Sequence, residues 1–256
     1  MTAVSHEALI QEQFSRQAGT FGSVPSHSAE ASLAELVELC APEPGDRALD
    51  LACGPGIVTC RLAPHVQSIR GQDIVPAMLA RAEARRAELG LANVSFDEGD
   101  ASTLPYADAS FDLVVTRFSF HHLLDPLRTL LEMRRVCRAG GRVVVADVAP
   151  SLASNARYDH FERIRDPSHT HALNEPELLG LFAAASLEVL RSSRHGLAMR
   201  LETQLAASFP APGGADELRR LFHADLGVNA LGVEARLEQG EIAFSYPVLV
   251  VASRKR

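Results

Sequence analysis

From Arg47 to Val148 the chain alternates short apolar runs with helix-forming segments, and that alternation constrains the fold more than any other feature. The runs Arg47–Leu51, Ser68–Asp73, Val94–Asp97, Phe111–Thr116 and Arg142–Asp147 read as strands. Between them, helices are expected at Ile57–Pro64, from Pro76 to a stop at Gly90, and from the cap Asp125-Pro126 to a stop at Gly140-Gly141. Continuous apolar strands separated by helices predict a parallel sheet covered on both faces. Such sheets take ligands beyond the carboxyl ends of the strands, near the switch in strand order. Asp50, Asp73, Asp100 and Arg117 all fall at or just past predicted strand ends.

Two regions lie outside the alternation. Residues 1–45 read as helices, with spans at Glu7–Gln17 and Ala29–Cys40. Residues 150–173 read as polar and irregular, followed by a helix at Glu175–Ala184, a strand at Leu187–Arg194 and a last strand at Ile242–Ser253. At 256 residues the chain reads as one α/β domain with additions: a helical cap (1–45), a binding core (46–149), a lid (150–173) and a C-terminal part (174–256). Lys and Arg number 25 against 32 Asp and Glu, a net charge of −7 that speaks against a nucleic-acid partner. No apolar run reaches membrane-span length and the first residues lack a secretion pattern, so a cytoplasmic location without membrane contact is expected. The four cysteines form no Cys-x-x-Cys pair, which predicts reduced thiols and no metal site. The oligomeric state is left open, a homodimer being the common form for a soluble enzyme.

The stretch Leu49-Asp50-Leu51-Ala52-Cys53-Gly54-Pro55-Gly56 ends a strand in a glycine turn. Glycines 54 and 56 allow a tight turn and close approach of a ligand to backbone. A dinucleotide fingerprint needs a third glycine where Thr59 stands. Asp50 just before the turn would repel a pyrophosphate and suits a ligand amine. Asp73 suits two ribose hydroxyls, and Asp100 an adenine amine. An amine, a ribose and an adenine without phosphate describe S-adenosylmethionine.

With those residues in place, the sequence resembles the class I S-adenosylmethionine-dependent methyltransferases, and most nearly their small-molecule branch of ubiquinone/menaquinone C-methyltransferase-like enzymes. The resemblance rests on the turn above, on Gly71-Gln72-Asp73-Ile74 with Met78-Leu79, on Gly99-Asp100-Ala101 with Leu104-Pro105, and on Ser110-Phe111-Asp112 with Phe120-His121-His122-Leu123. It covers roughly residues 46–150. It implies a Rossmann-like, doubly wound α/β fold: a seven-stranded sheet whose last strand is antiparallel, with a helical cap and a lid after strand five. For the cofactor it implies Asp50, Ala52, Gly54 and Gly56 at the methionine part and Asp73 with Ile74 and Met78 around the ribose. Asp100 and Ala101 would hold the adenine, and Arg117 or Phe118 would lie beside the sulfonium by backbone contact. Gln17 would reach the cofactor carboxylate from the cap.

The acceptor is expected under the additions. Phe14 and Phe21 would form a wall, Tyr158 and Arg165 would line the lid side, and His121, His122 and His169 are candidate bases near neutral pH. The expected reaction is methyl transfer to an aromatic, heterocyclic or quinone-like small molecule. Two alternatives remain open at this point: non-methylating chemistry with the same cofactor (a cyclase, a pericyclic catalyst or a demethylase), and an RNA or protein methyltransferase.

Overall fold

The structure is a computed structural model that describes residues 5–19 and 30–256. Two helices, α1 (His6–Gln17) and α2 (Glu30–Cys40), precede the sheet. Ser5 caps α1 by accepting from the Ala8 amide at 3.2 Å. The alternating core then runs β1 (Arg47–Leu51), α3 (Ile57–Leu62), β2 (Ser68–Asp73), α4 (Pro76–Glu88), β3 (Val94–Glu98), β4 (Phe111–Arg117), α5 (Pro126–Val136) and β5 (Cys137–Val148). Asp125 caps α5 through the Arg128 amide at 3.0 Å, and Pro126 takes the first helical position where its missing N–H costs nothing.

The remaining elements are α6 (Asn155–Arg165), α7 (Glu175–Ala184), β6 (Leu187–Arg200), α8 (Leu201–Ala206), α9 (Gly214–Asp225), β7 (Arg236–Glu238) and β8 (Glu241–Lys255). The sheet order is β3-β2-β1-β4-β5-β8-β6, with the short β7 paired to β8. The first five strands pair in parallel, and β8 runs antiparallel between β5 and β6. The seven expected strands are thus present, and β7 adds a short hairpin arm. Strand order reverses between β1 and β4, which opens a crevice at their carboxyl ends.

Period-two alternation builds two cores from single strands. Val143 and Val145 pack with Leu49, Leu51, Met133 and Phe182 on one face. Val144 and Ala146 pack with Leu36, Ile69, Phe222 and Phe244 on the other. A third, small cluster joins Ile10 and Phe14 of α1 to Val75, Met78 and Ala18, and so seats α1 over the carboxyl edge of the sheet.

Two expectations are corrected. Gly140-Gly141 does not end α5; the helix stops at Val136 and both glycines lie inside β5. They make a bulge between the Phe111–Cys137 and Leu113–Arg142 pairs, where a Cβ on Gly141 would stand 2.6 Å from the Cys137 sulfur. Residues 150–173 are not an irregular lid. They contain α6, whose Tyr158, Phe161 and Glu162 are buried, and Phe161 packs edge-on against Phe222 of α9 at 5.3 Å. The polar composition misled because Glu162 pairs with Arg165 and Asp159 with His169 inside the fold instead of facing water.

Candidate active site

Two cavities meet above the crevice. The first spans about 1020 Å³, space open to solvent included, and is lined by the turn after β1, the ends of β2 and β4, and the roof formed by Ile10 and Phe14. The second, about 700 Å³, lies between α1, α6, β6, α8 and β8. Phe14, Phe118 and His122 line both and mark the junction.

Backbone shape makes the first cavity. Ala52 (φ 52°) and Phe118 (φ 58°) both hold the left-handed region just past β1 and β4, one on each side of the crevice. Such strain in non-glycine residues collects at binding sites because the surrounding fold must enforce it. Gly54 is also left-handed (φ 53°), and a Cβ there would meet nothing within 4 Å, so the turn presents bare backbone to the cavity. Asp73 stands beneath it. One carboxylate oxygen accepts from the Gly54 amide at 2.7 Å and the other from the Val75 amide at 2.9 Å. Burial pushes its pKa up against the pull of those amides. Asp100 accepts from the Ser102 amide at 2.8 Å and, with Ala101, Ile74 and Met78, completes the wall. Arg117 stacks over the Phe118 ring at 4.3 Å and reaches Ser32 at 3.3 Å.

Several predicted residues lie elsewhere. The Asp50 carboxylate does not line the cavity; it is buried beneath the turn, accepts from the Thr59 hydroxyl at 2.5 Å, and has its pKa raised to about 7 by that burial. Gly56 caps α3 and packs against α4, where a Cβ would meet Ala82 at 3.0 Å and Phe96 at 3.1 Å, so its reason is helix packing and not ligand approach. Gln17 lines the second cavity, not the first. His169 lines neither; it sits behind His121 and its Nε2 bonds Asp159 at 2.8 Å. Phe21 lies outside the described residues.

The second cavity gathers Phe14, His121, His122, Tyr158 and Arg165, as expected, with residues the sequence reading passed over: Glu162, Leu197, Met199, Gln204 and Tyr246. His121 and His122 have their rings 4.2 Å apart and are tied differently. His121 donates from Nδ1 to Asp147 at 2.5 Å. Burial opposes its charging, yet the Asp147 carboxylate outweighs burial and holds its pKa above the usual value. His122 directs Nδ1 at the Ser168 carbonyl, 3.1 Å away. The Ser168 hydroxyl lies 3.1 Å from the same nitrogen but gives its own proton to Asp166 at 2.6 Å, so both Ser168 oxygens accept, Nδ1 carries the proton and Nε2 keeps the lone pair. Burial, with the neighbouring His121 charge, holds the His122 pKa below the usual value and the ring neutral. Asp147 had a signal that was passed over: it ends a parallel strand, the same position that singled out Asp50 and Asp73. Glu162, Gln204 and Tyr246 had none, since only tertiary packing brings their elements together.

Residues 49–145 match the family model described as methyltransferase domain. An uncharacterised methyltransferase of Bacillus subtilis, YcgJ, is 34% identical over 143 residues, covering 55% of this chain and 56% of the relative. The demethylmenaquinone methyltransferase of Deinococcus radiodurans is 43% identical over 109 residues, covering 41% and 44%. The matches thus span about half the length of these curated relatives. The solved structure of YcgJ superposes with a TM-score of 0.81 at 25% identity, covering 88% of this chain and 98% of that one. The [4+2]-cyclase SpnF shares the fold, with a TM-score of 0.67 at 23% identity, covering 89% and 81%.

The first cavity fits S-adenosylmethionine on its own features: a bare glycine turn, an amide-anchored carboxylate at the end of β2 and a second acid at the end of β3. The chain therefore carries, on a Rossmann-like α/β sheet, a methyltransferase domain similar to the class I S-adenosylmethionine-dependent methyltransferases, with S-adenosylmethionine as the cofactor of that domain.

Proposed function

We propose that the chain transfers the methyl group of S-adenosylmethionine to a small aromatic, heterocyclic or quinone-like acceptor. The observation that carries this reading is the pair of adjoining cavities whose only shared side chains are Phe14, Phe118 and His122 among the described residues. S-adenosylmethionine supplies a methyl group already activated on a sulfonium, so the protein chiefly aligns the partners and excludes water. Asp73 and the Gly54 turn would hold the ribose and methionine parts; Asp100 and Ala101 would hold the adenine. Phe14, edge-on to His122 at 5.0 Å, would shield the junction from solvent. His122 Nε2 would take the proton of the acceptor, and the Asp147-held His121 would donate toward the oxygen on which charge develops. Opposite shifts in two neighbouring histidines suit such a division between base and donor.

The walls of Phe14, Leu197, Met199 and Tyr246 suit a small, flat, mostly apolar molecule. Among the described residues no helix is long and apolar enough to cross a membrane. The likeness to a cyclase is one of fold and leaves that chemistry as the competing reading. Incubation with methyl-labelled S-adenosylmethionine and a panel of phenols, heterocycles and quinols tests the proposal. Labelled product formed in step with S-adenosylhomocysteine is the expected result. Conversion of a substrate without S-adenosylhomocysteine would replace methyl transfer by the competing reading.

A further inference from the structure

Behind His122, buried groups form a directed chain of hydrogen bonds. Asp166 is 1% exposed and Ser168 is fully buried. One Asp166 oxygen accepts from the Ser168 amide at 2.9 Å and from the Ser168 hydroxyl at 2.6 Å, and the other stands 3.9 Å from the Arg165 guanidinium. Burial would raise the Asp166 pKa, yet His122, Arg165 and the Ser168 donors around it hold it below the usual value. An ionised carboxylate only accepts, so the single hydroxyl proton of Ser168 is committed to Asp166. The His122 Nδ1 lies 3.1 Å from the Ser168 hydroxyl oxygen and 3.1 Å from the Ser168 carbonyl. It faces two acceptors and must itself carry a proton.

Other groups hold the His122 backbone. The Thr170 amide donates to the His121 carbonyl at 2.9 Å, and the Thr170 hydroxyl stands 2.9 Å and 3.0 Å from the His121 and Leu123 carbonyls. The His6 Nε2 donates to the His122 carbonyl at 2.6 Å. The place of the ring therefore does not depend on Asp166, but the place of its proton does. Without Asp166, the Ser168 hydroxyl is shut off from water and has the His122 Nδ1 as an acceptor already within reach. A buried donor left unmatched costs about 1–3 kcal/mol, and a carbonyl short of a partner is the commoner concession. The hydroxyl would turn to Nδ1, and the ring proton would move to Nε2.

Resting on the methyl-transfer reading, we propose that Asp166 is a positioning residue: acting through the Ser168 hydroxyl, it fixes His122 in the tautomer whose bare nitrogen is Nε2, the one able to take the proton of the acceptor. Long-range proton–nitrogen correlation NMR, on the full chain with isotope-labelled histidine and saturating S-adenosylhomocysteine, reads which ring nitrogen is protonated. His122→Gln identifies the signals. The wild type should show a protonated Nδ1 and a bare Nε2, and Ser168→Ala should leave that pattern in place because the carbonyl still accepts. Asp166→Ala should bring the bare-Nδ1 form to about half of the molecules or more. Adding Ser168→Ala to Asp166→Ala should restore the wild-type pattern. With an accepted substrate, the kcat of Asp166→Ala should fall in proportion to the bare-Nε2 fraction, about twofold or more, with KM little changed. Asp166→Leu, closer in volume and equally without an acceptor, takes the place of Asp166→Ala if that variant does not fold.

A bare Nδ1 in the wild type, a change of tautomer in Ser168→Ala, a wild-type pattern in Asp166→Ala or Asp166→Leu, or no restoration by the added Ser168→Ala would each overturn the proposal. The NMR measurement involves no methyl transfer. The expected tautomers with no labelled product from any acceptor would sink the reaction and keep the role of Asp166. Labelled product alongside a tautomer indifferent to Asp166 would do the reverse.

Discussion

The two cavities are built by different means. The first is a product of backbone: a glycine turn, two left-handed residues and carboxylates held by main-chain amides, all within a few residues of consecutive strand ends. The second is a product of side chains brought from six separate elements, and it places ionisable groups in nearly full burial. Local turns that recur at strand ends can be kept while the rest of the chain varies. A pocket of buried ion pairs depends on every partner being present at once, because an unpaired buried charge is far more costly than an unmade surface contact. Stability should therefore be sensitive at the second cavity, and cofactor affinity at the first.

The largest effect expected is on stability. Glu162→Ala strips Arg165 of its partner and Tyr246 of its acceptor, and should destabilise the fold by roughly 3–5 kcal/mol in urea denaturation. The folded fraction should keep its S-adenosylhomocysteine affinity within about twofold. A large loss of cofactor affinity would show that the two cavities are one cooperative unit and break the distinction.

Next in size, Asp73→Ala should weaken S-adenosylhomocysteine binding at least about tenfold by calorimetry, since it removes both the proposed ribose contact and the anchor of the Gly54 and Val75 amides. Unchanged affinity would remove Asp73 from the binding site. The smallest effect concerns the His121–Asp147 pair. His121 has a raised pKa, so its stabilisation is present below about 6.5 and fades as pH rises through the folded value. Asp147 has a lowered pKa, so its share is present above about 3.9 and fades as pH falls through the folded value. Their joint contribution is greatest between those limits. Asp147→Asn should cost about 1 kcal/mol more at about pH 5.5 than at about pH 8.5. A cost that does not vary with pH would mean the pair is held by packing and not by charge.

The N-terminal half was legible for a physical reason. Apolar runs such as Phe111-Asp-Leu-Val-Val-Thr116 announce buried parallel strands, and strand ends in such sheets point to one edge. That rule pointed to Asp73, Asp100, Arg117 and the Gly54 turn, which line the first cavity, and to Asp50, a strand-end acid that turns inward to Thr59 and does not. Gly56 shows the same limit: a glycine required by a left-handed cap and by Ala82 reads in sequence like a glycine required by a ligand. The polar stretch that became α6 was misread because charge in sequence signals exposure unless a partner is known, and the partner Tyr246 lies 84 residues away.

What the sequence by itself determined is the sheet, its crevice edge and the glycine turn and acids that line the first cavity, because these follow from periodicity and from residues adjacent in the chain. What only the tertiary structure decided is the acceptor side: which histidine faces the junction, which is tied to Asp147, and which is turned away to Asp159. Those assignments depend on through-space pairing in a low-dielectric interior, where a carbonyl or carboxylate a few ångströms away sets the tautomer and charge of a ring, and no local pattern of residues encodes that distance.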